Sequence, residues 1–445
     1  MKVLFISLGC DKNLVDTERM LGMLSGSGYE ITDDESCADI IVINTCAFIN
    51  DAKEESIQSI LEMAEYKKSG SCKALLVAGC LAQRYKDEIM KEIPEVDAVL
   101  GTNSYGKLTE ALEMALKGKN CLNFEPLEGF PDVRGRRMVT TGGVYEYLKI
   151  AEGCDKRCTY CIIPKLRGKY RSVPMEELVR EAEQLVGNGV RELILVAQET
   201  TLYGTDLYGR PSLHLLLKEL CRITGLYWIR ILYCYPEDIY PELIKTIAEE
   251  NKICKYLDLP IQHADNAVLK RMGRHTSQED LKKIISDLRK QIPDIVLRTT
   301  LITGFPGETQ EQHEELMGFV NEMEFDRLGV FTYSQEEDTA AALMEGQLPE
   351  EVKQDRQAEL MELQQEISAD KGENRIGQIL EVLIEGKVAD ENAYVGRTYA
   401  DAPGVDGYIF VHTQEQLISG DFAKVRVTGV LEYDLIGEIA DEYAE

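Results

Sequence analysis

EYLKIAEGCDKRCTYC, residues 146–161, is the stretch that decides the fold. Its first half alternates toward a strand and stops at Gly153. Its second half sets Cys154, Cys158 and Cys161 in a tight C-x3-C-x2-C cluster. Three more cysteines lie far apart in matching settings: Cys10 ends VLFISLGC, Cys46 ends IIVINTC and Cys80 ends ALLVAGC. Each closes a buried-strand pattern of Val, Ile and Leu and precedes a helical pattern. Strands alternating with helices predict a parallel sheet. In such sheets the carboxyl ends of the strands line the ligand crevice. Cys10, Cys46 and Cys80 are therefore expected to meet in space, and the chain reads as a carrier of two thiolate-ligated metal clusters.

Outward from these cysteines the chain divides into an α/β series and an all-β end. Residues 1–117 hold the three strand–cysteine–helix units; DTERMLGMLSGSG is a helix stopped by Gly26 and Gly28. Residues 118–139 lack periodicity, contain Pro and Gly, and read as a linker. Within residues 140–372 the predicted strands are EYLKIAEG, ELILVAQET, WIRILYCYP, KYLDLPIQH, VLRTTLITGF and RLGVFTYS. Amphipathic helices such as MEELVREAEQLVGNG separate them, and a helix around Leu360, Leu363 and Ile367 ends the series near Gly372. Six β/α units predict an open or partial barrel, since a full eight-unit barrel takes typically ~250 residues. Residues 373–441 change to short alternating strands (ILEVLIEGKV, GYIFVHT, FAKVRVTGVL, DLIGEIA), the pattern of a small β-barrel or sandwich.

Composition narrows the function. At 445 residues and 44% apolar content the chain is a multi-domain globular protein. Twelve cysteines are too few for a stapled secreted scaffold of this size; clustered cysteines in a large enzyme point to metal and to a reducing cytoplasm. MKVLFISLGC has too short an apolar run and too little charge for a signal sequence, and no stretch approaches a membrane span. The formal charge of −29 argues against a broad nucleic-acid surface, whose affinity comes from neutralised phosphates. It suits a basic protein partner, or simple solubility.

Three cysteines within eight residues can hold three corners of an iron–sulfur cube, which usually takes four thiolates. The remaining iron is open to substrate, as catalytic zinc keeps an open position. Structural zinc would need a fourth ligand, and no histidine lies nearby. The other cysteines (Cys37, Cys72, Cys121, Cys221, Cys234, Cys254) show no comparable pattern and read as structural. Lys165, Arg167, Lys169 and Arg171 alternate after the cluster, with Arg134, Arg136 and Arg137 in the linker. They read either as a rim facing substrate or as a solvated face.

C-x3-C-x2-C after the first strand of a β/α barrel resembles the radical S-adenosylmethionine (SAM) superfamily. The resemblance implies a [4Fe-4S] cluster on Cys154, Cys158 and Cys161, whose open iron binds SAM and cleaves it to a 5′-deoxyadenosyl radical. It places Tyr160 near the adenine, and Gln198, Glu199 and Thr200 near the amino group of the methionine part. Arg230, Gln262 with His263, Arg298, Thr300 and Gly304 in GFPGE are the further candidate cofactor contacts, each at a strand or strand end. Any one of them could equally be a satisfied structural group.

The order of an α/β domain with three cysteines, a radical-SAM barrel and a small β-domain resembles the methylthiotransferases over nearly the whole chain. That implies a second, auxiliary [4Fe-4S] cluster on Cys10, Cys46 and Cys80, two SAM molecules, and conversion of a C–H bond to C–S–CH3. SLGCDKNLVDTE (7–18), AEGCDKRCTYCIIPKLRGKYRS (151–172), RTTLITGFPGET (298–309), DRLGVFTYSQEEDTAA (326–341) and DAPGVDG (401–407) look like the RimO-type branch. That branch modifies an aspartate of ribosomal small-subunit protein twelve, using an electron donor such as flavodoxin or ferredoxin and a sulfur donor. The terminal segment resembles a TRAM domain, a module often used to hold RNA. Its residues 376–445 count 14 acidic and 4 basic, net −10, which favours a protein substrate and limited nucleic-acid binding. Two rivals stand beside this: the same chemistry on a transfer-RNA adenosine, and a non-catalytic iron–sulfur redox sensor.

Overall fold

The computed structural model describes residues 1–131, 136–389 and 391–440. Six parallel strands open the chain: Lys2–Ser7, Glu30–Thr32, Ile40–Thr45, Ala74–Gly79, Ala98–Leu100 and Cys121–Asn123. They lie in the spatial order second, first, third, fourth, fifth, sixth. Leu75 and Val77 face the helix Asn50–Ser69, whereas Ala74, Leu76 and Ala78 face Asp11–Gly26 and Leu108–Leu116. Both faces are therefore dry, which is why these strands are continuously apolar rather than alternating. Cys121–Asn123 corrects the expected linker: three residues carry too little pattern to mark an edge strand, and the sheet recruits them by pairing with Ala98–Leu100.

The second sheet holds the six expected strands in chain order, all parallel: Tyr145–Lys149, Glu192–Val196, Trp228–Ile231, Ile253–Asp258, Val296–Thr303 and Arg327–Thr332. A helix follows each, from Met175–Gly187 to Glu350–Glu373. In Met175–Gly187 the buried Leu178, Ala182, Leu185 and Val186 make one apolar stripe of helical spacing. Leu193 and Leu195 pack outward on these helices, and Ile194 and Val196 pack inward. Among the described residues the first and sixth strands do not pair, so the barrel is open.

A closed five-stranded barrel ends the chain: Ile379–Lys387, Ala393–Thr398, Ile409–His412, Phe422–Leu431 and Asp434–Ile439. Ala393–Thr398 was not expected; Gly396 interrupts its apolar run, and it is there because Val382 and Leu383 leave room for no Cβ at that position. The loop DAPGVDG plugs the hollow of the half-barrel, Ala400 and Ala402 packing with Ile194, Val196 and Trp228. Its Asp401 and Asp406 pair with Arg327 and Arg298.

Candidate active site

The carboxyl ends of the half-barrel strands form a mouth. Gly153, just past the first strand and the short strand Ala151–Glu152, sits at φ +78°, and a Cβ there would lie 2.2 Å from the Lys169 carbonyl oxygen, so only glycine lets the loop turn. The cluster loop is then pinned along its length. Cys154 N donates to Gly168 O at 3.1 Å, Thr159 N to Met272 O at 2.9 Å, and Ala341 N to Thr159 O at 2.8 Å. Cys158 Sγ lies 3.6 Å from the Tyr235 hydroxyl. Burial pushes the Cys154 and Cys161 thiols up to about 12, and the neighbouring cysteine sulfurs add to the shift. Thiols so desolvated are neutral by themselves. A bound cation's charge is what makes such groups thiolate ligands, so the donor set fits a thiolate-held cluster.

The N-terminal cysteines converge as expected. A Cβ on Gly9 would lie 2.8 Å from Cys46 Sγ, so Cys10 is carried against Cys46 by a glycine at φ +89°. Burial pushes Cys46 up to about 12, with the charges of Cys80 and Cys10 adding to it. Cys80 is also raised by burial, against the opposing pull of Arg167. Cys10 is exposed where Cys46 and Cys80 are buried, which leaves this trio one open side. Among the described residues no group of three His, Cys, Asp or Glu side chains is tight enough for a single metal ion. A cube, whose irons stand apart, takes sulfurs spread more widely than one ion does.

The expected cofactor contacts separate into two kinds. Glu199 is fully buried, Oε1 accepts from Thr201 N at 2.8 Å, and Oε2 has no partner. Burial pushes its carboxyl up to about 8. Gln198 donates to Glu152 Oε1 at 2.8 Å and leaves its own Oε1 unpartnered. A buried oxygen without a donor is costly, and these two fit a ligand that brings N–H donors or positive charge. Tyr160 is half-buried against Phe305 and Tyr333 beside Cys158, where a planar ring fits. Gln262 is held at φ +71° in the loop beyond the fourth strand, and Tyr233 at φ +60° two residues past the third. Non-glycine residues in that region concentrate where function constrains the backbone.

Six expected contacts have other employment. Arg230 is fully buried deep in the hollow, its Nε on Glu192 at 2.7 Å and its Nη1 on Tyr399 O at 2.7 Å, so it joins the two barrels. Thr200 donates to Leu232 O at 2.8 Å, a tie between adjacent strand ends. Arg298 pairs with Asp258 at 2.9 Å and also donates to Thr300 Oγ1 at 3.2 Å, occupying both candidates. Gly304 makes room for Lys353, whose Cγ would stand 2.4 Å from a Cβ. His263 is buried; its Nδ1 accepts from Asp265 N at 3.0 Å, and burial lowers its pKa to about 3. The basic run is likewise divided. Lys165 and Lys169 are exposed, but Arg167 is buried and Arg171 turns back onto backbone carbonyls. Arg136 is exposed and Arg137 is buried among Glu18, Glu146 and Glu181, while Arg134 lies outside the described residues.

Two residues at the mouth escaped sequence reasoning. Tyr235 and Arg274 line an open cleft of about 210 Å³ with Lys156, Cys158 and Glu237. Arg274 stacks on Tyr235 (4.3 Å to the ring centroid), is held by Glu237 at 2.9 Å, and keeps Nε and Nη1 buried without partners. Arg274 follows a glycine whose Cβ would strike Arg157 O at 2.9 Å, a signal visible only in space.

Residues 2–101 match the model of "Uncharacterized protein family UPF0004", 148–320 that of the "Radical SAM superfamily" and 376–440 that of the "TRAM domain". The fold also resembles the radical S-adenosylmethionine methyltransferase TsrM from Kitasatospora setae, with TM-score 0.53 at 14% identity over 74% of this chain and 72% of that one. A parallel half-barrel with the three-cysteine loop after its first strand, under that superfamily match, defines a radical-SAM enzyme. The chain is 62% identical over 98% of its length to "Ribosomal protein uS12 methylthiotransferase RimO" of Lachnoclostridium phytofermentans, covering 99% of it. It is 52% identical over 99% of its length to the protein of that name from Clostridium perfringens, covering 98% of it. The chain belongs to the RimO family of methylthiotransferases, and it is a transferase. A non-catalytic sensor is thereby set aside. Among the described residues no helix is long and apolar enough to cross a membrane.

Proposed function

We propose that this chain converts a β C–H of an aspartate in ribosomal small-subunit protein twelve into C–S–CH3, consuming two SAM molecules. The reading is supported by two cysteine trios, Cys10, Cys46 and Cys80 just past three adjacent parallel strands and Cys154, Cys158 and Cys161 in one loop at the half-barrel mouth, in a full-length relative of proteins named for uS12 methylthiotransfer. Cys154, Cys158 and Cys161 would hold one [4Fe-4S] cluster and Cys10, Cys46 and Cys80 the other. Bound there, one cluster would supply the electron for reductive cleavage of SAM and the other the sulfur that enters the product.

The chain's own groups then orient and insulate. Glu199 Oε2 and Gln198 Oε1, buried and unpartnered, take the ammonium of the methionine part. The ammonium's charge makes ionised Glu199 favourable, so a proton leaves Glu199 when SAM binds. Tyr160 stacks on the adenine. DAPGVDG, tied to Arg298 and Arg327 through Asp406 and Asp401, closes the hollow from below and would keep water from a radical. Arg230 acts through the joint between the barrels rather than on the cofactor.

The terminal barrel supports a basic protein as substrate. Of its four basic residues Arg397 is fully buried on Glu192, and Lys424 and Arg426 face Glu381 and Glu438 across the strands. Among the described residues these three cations are each set beside acidic neighbours or buried, a poor arrangement for gripping phosphate. The reaction runs in the cytoplasm with a flavodoxin- or ferredoxin-type electron donor and a separate sulfur donor. The test is an anaerobic assay of the reconstituted protein with SAM, sulfide and a strong reductant. Small ribosomal subunits are offered in one tube and unmodified transfer RNA in another. A methylthio mass gain on an aspartate peptide is expected. A gain on RNA alone overturns the substrate, and a gain on neither overturns the activity.

A further inference from the structure

Among the described residues Arg167 is the cation whose side chain hydrogen-bonds to a cysteine of either trio. It is 2% exposed. Its Nη2 donates to Cys80 Sγ at 3.5 Å and to Asn13 Oδ1. Its Nη1 donates to Asp16 Oδ2 at 2.7 Å and to Glu152 Oε2 at 3.3 Å. Lys149 shares the same two carboxylates, and Glu152 accepts from Gln198 at the half-barrel mouth. Arg167 does not come from the N-terminal domain that carries Cys80. It ends the short helix Ile163–Arg167, which follows Cys161 directly. That helix is seated in the N-terminal domain: Ile162 and Leu166 belong to the core containing Val77, Cys80 and Leu81, and Thr102 Oγ1 donates to Leu166 O at 2.7 Å. The loop of one cysteine trio thus delivers a fixed positive charge to a sulfur of the other.

We infer that Arg167 is a positioning residue that sets the reduction potential of the cluster on Cys10, Cys46 and Cys80. This rests on the two-cluster reading above. The reason is electrostatic. A buried guanidinium bonded to a ligand sulfur stabilises the form carrying one more electron, and hydrogen bonds to the sulfurs are among the levers that set such potentials. Water cannot screen the charge here. Asp16 and Glu152 oppose it, so the potential reflects Arg167 against its two carboxylates. Tuned this way, the auxiliary cluster sits at a potential distinct from that of the SAM-side cluster, whose cysteines have no such arginine bond among the described residues.

The experiment uses the full chain with Cys154, Cys158 and Cys161 changed to alanine, reconstituted anaerobically with iron and sulfide so that the auxiliary cluster alone is loaded. Dithionite supplies the electron, and the reduced signal is followed by electron paramagnetic resonance through a redox titration. Arg167→Gln is expected to move the midpoint to more negative potential. Arg167→Lys, which restores the charge without the fork, returns part of it. Asp16→Asn, which unmasks Arg167, moves it to more positive potential. Opposite shifts from two neighbours cannot come from general loosening. An unchanged midpoint in Asp16→Asn, or a shift of the same sign in Asp16→Asn and Arg167→Gln, overturns the inference; if Arg167→Gln loads no iron, Asp16→Asn decides alone. Absence of iron in the parent triple variant strikes instead at the assignment of Cys10, Cys46 and Cys80.

Discussion

Glu192→Gln should undock the terminal barrel from the half-barrel. Glu192 is fully buried and both its oxygens are taken, Oε1 by Arg230 Nε at 2.7 Å and Oε2 by Arg397 Nη2 at 2.6 Å. Arg230 reaches on to Tyr399 O and Arg397 to Asp401 O, both in the terminal domain. Glutamine keeps the shape, removes the charge, and turns an N–H donor toward a guanidinium. Breaking a buried ion pair by removing one partner costs about 3–5 kcal/mol. With a urea slope of roughly 2 kcal/mol per molar, that lowers the midpoint by roughly 2 M. The reporter is built in. Trp228 is the only tryptophan, it is buried, and it meets Phe422 of the terminal domain edge-on at 4.9 Å. Its fluorescence in a urea series reads this joint. Replacing Glu192, Arg230 and Arg397 together by leucine should cost much less, because no uncompensated charge is left behind. The acid side gives a second handle. Burial would raise the Glu192 carboxyl, but Arg397 and Arg230 hold it below its ordinary value. A depressed carboxylate stabilises the fold fully above its unfolded pKa of about 4.3 and loses that contribution as pH falls below it. Glu192→Gln should abolish this acid dependence. A midpoint within roughly 0.5 M of the parent, about 1 kcal/mol, would refute the reasoning.

Gly9→Ala drives a methyl into Cys46, so iron after anaerobic reconstitution should fall from about eight to about four per chain, measured by colorimetric iron assay. Cys158→Ala should abolish 5′-deoxyadenosine formation, whereas Cys46→Ala should spare uncoupled cleavage and stop sulfur insertion; chromatography and mass spectrometry read both. Burial and the charge of Glu18 push Glu146 up to about 7 against Arg137. A raised carboxyl costs stability as pH rises from about 4 through about 7, so Glu146→Gln should gain on the order of 1–3 kcal/mol at pH 8 and little at pH 4, read by thermal melts.

The six strands of the half-barrel were legible because each rests on local pattern, and the same strand-end pattern is what singles out the six cysteines as candidates. A run such as ELILVA is buried on both faces and says so in six residues. What was not legible depends on partners far off in the chain. Arg167 looked like part of a charged rim, and its burial follows from Asp16 and Asn13, 151 and 154 residues away. Arg230 sits in a strand at the right level to suggest a ligand, and its occupation by carbonyls 168 and 169 residues later carries no local mark. Glu199 was placed by its strand end, and the structure adds the unpartnered oxygen that gives it a reason. Cys121–Asn123 and Ala393–Thr398 were missed because short or glycine-bearing strands borrow their geometry from neighbours.

The seating of Ile162 and Leu166 in the N-terminal core bears on how this chain can be cut. Three family models divide it neatly by sequence, yet these two residues belong to the second segment by covalent chain and to the first by packing. A barrel expressed without residues 1–117 would present both to water and leave the loop after Cys161 without its wall. Synthesis from the amino end meets this requirement, since the domain offering the seat is finished before the helix that needs it emerges. A hybrid joining the first domain of one relative to the barrel of another would have to carry the helix Ile163–Arg167 across the join together with its host.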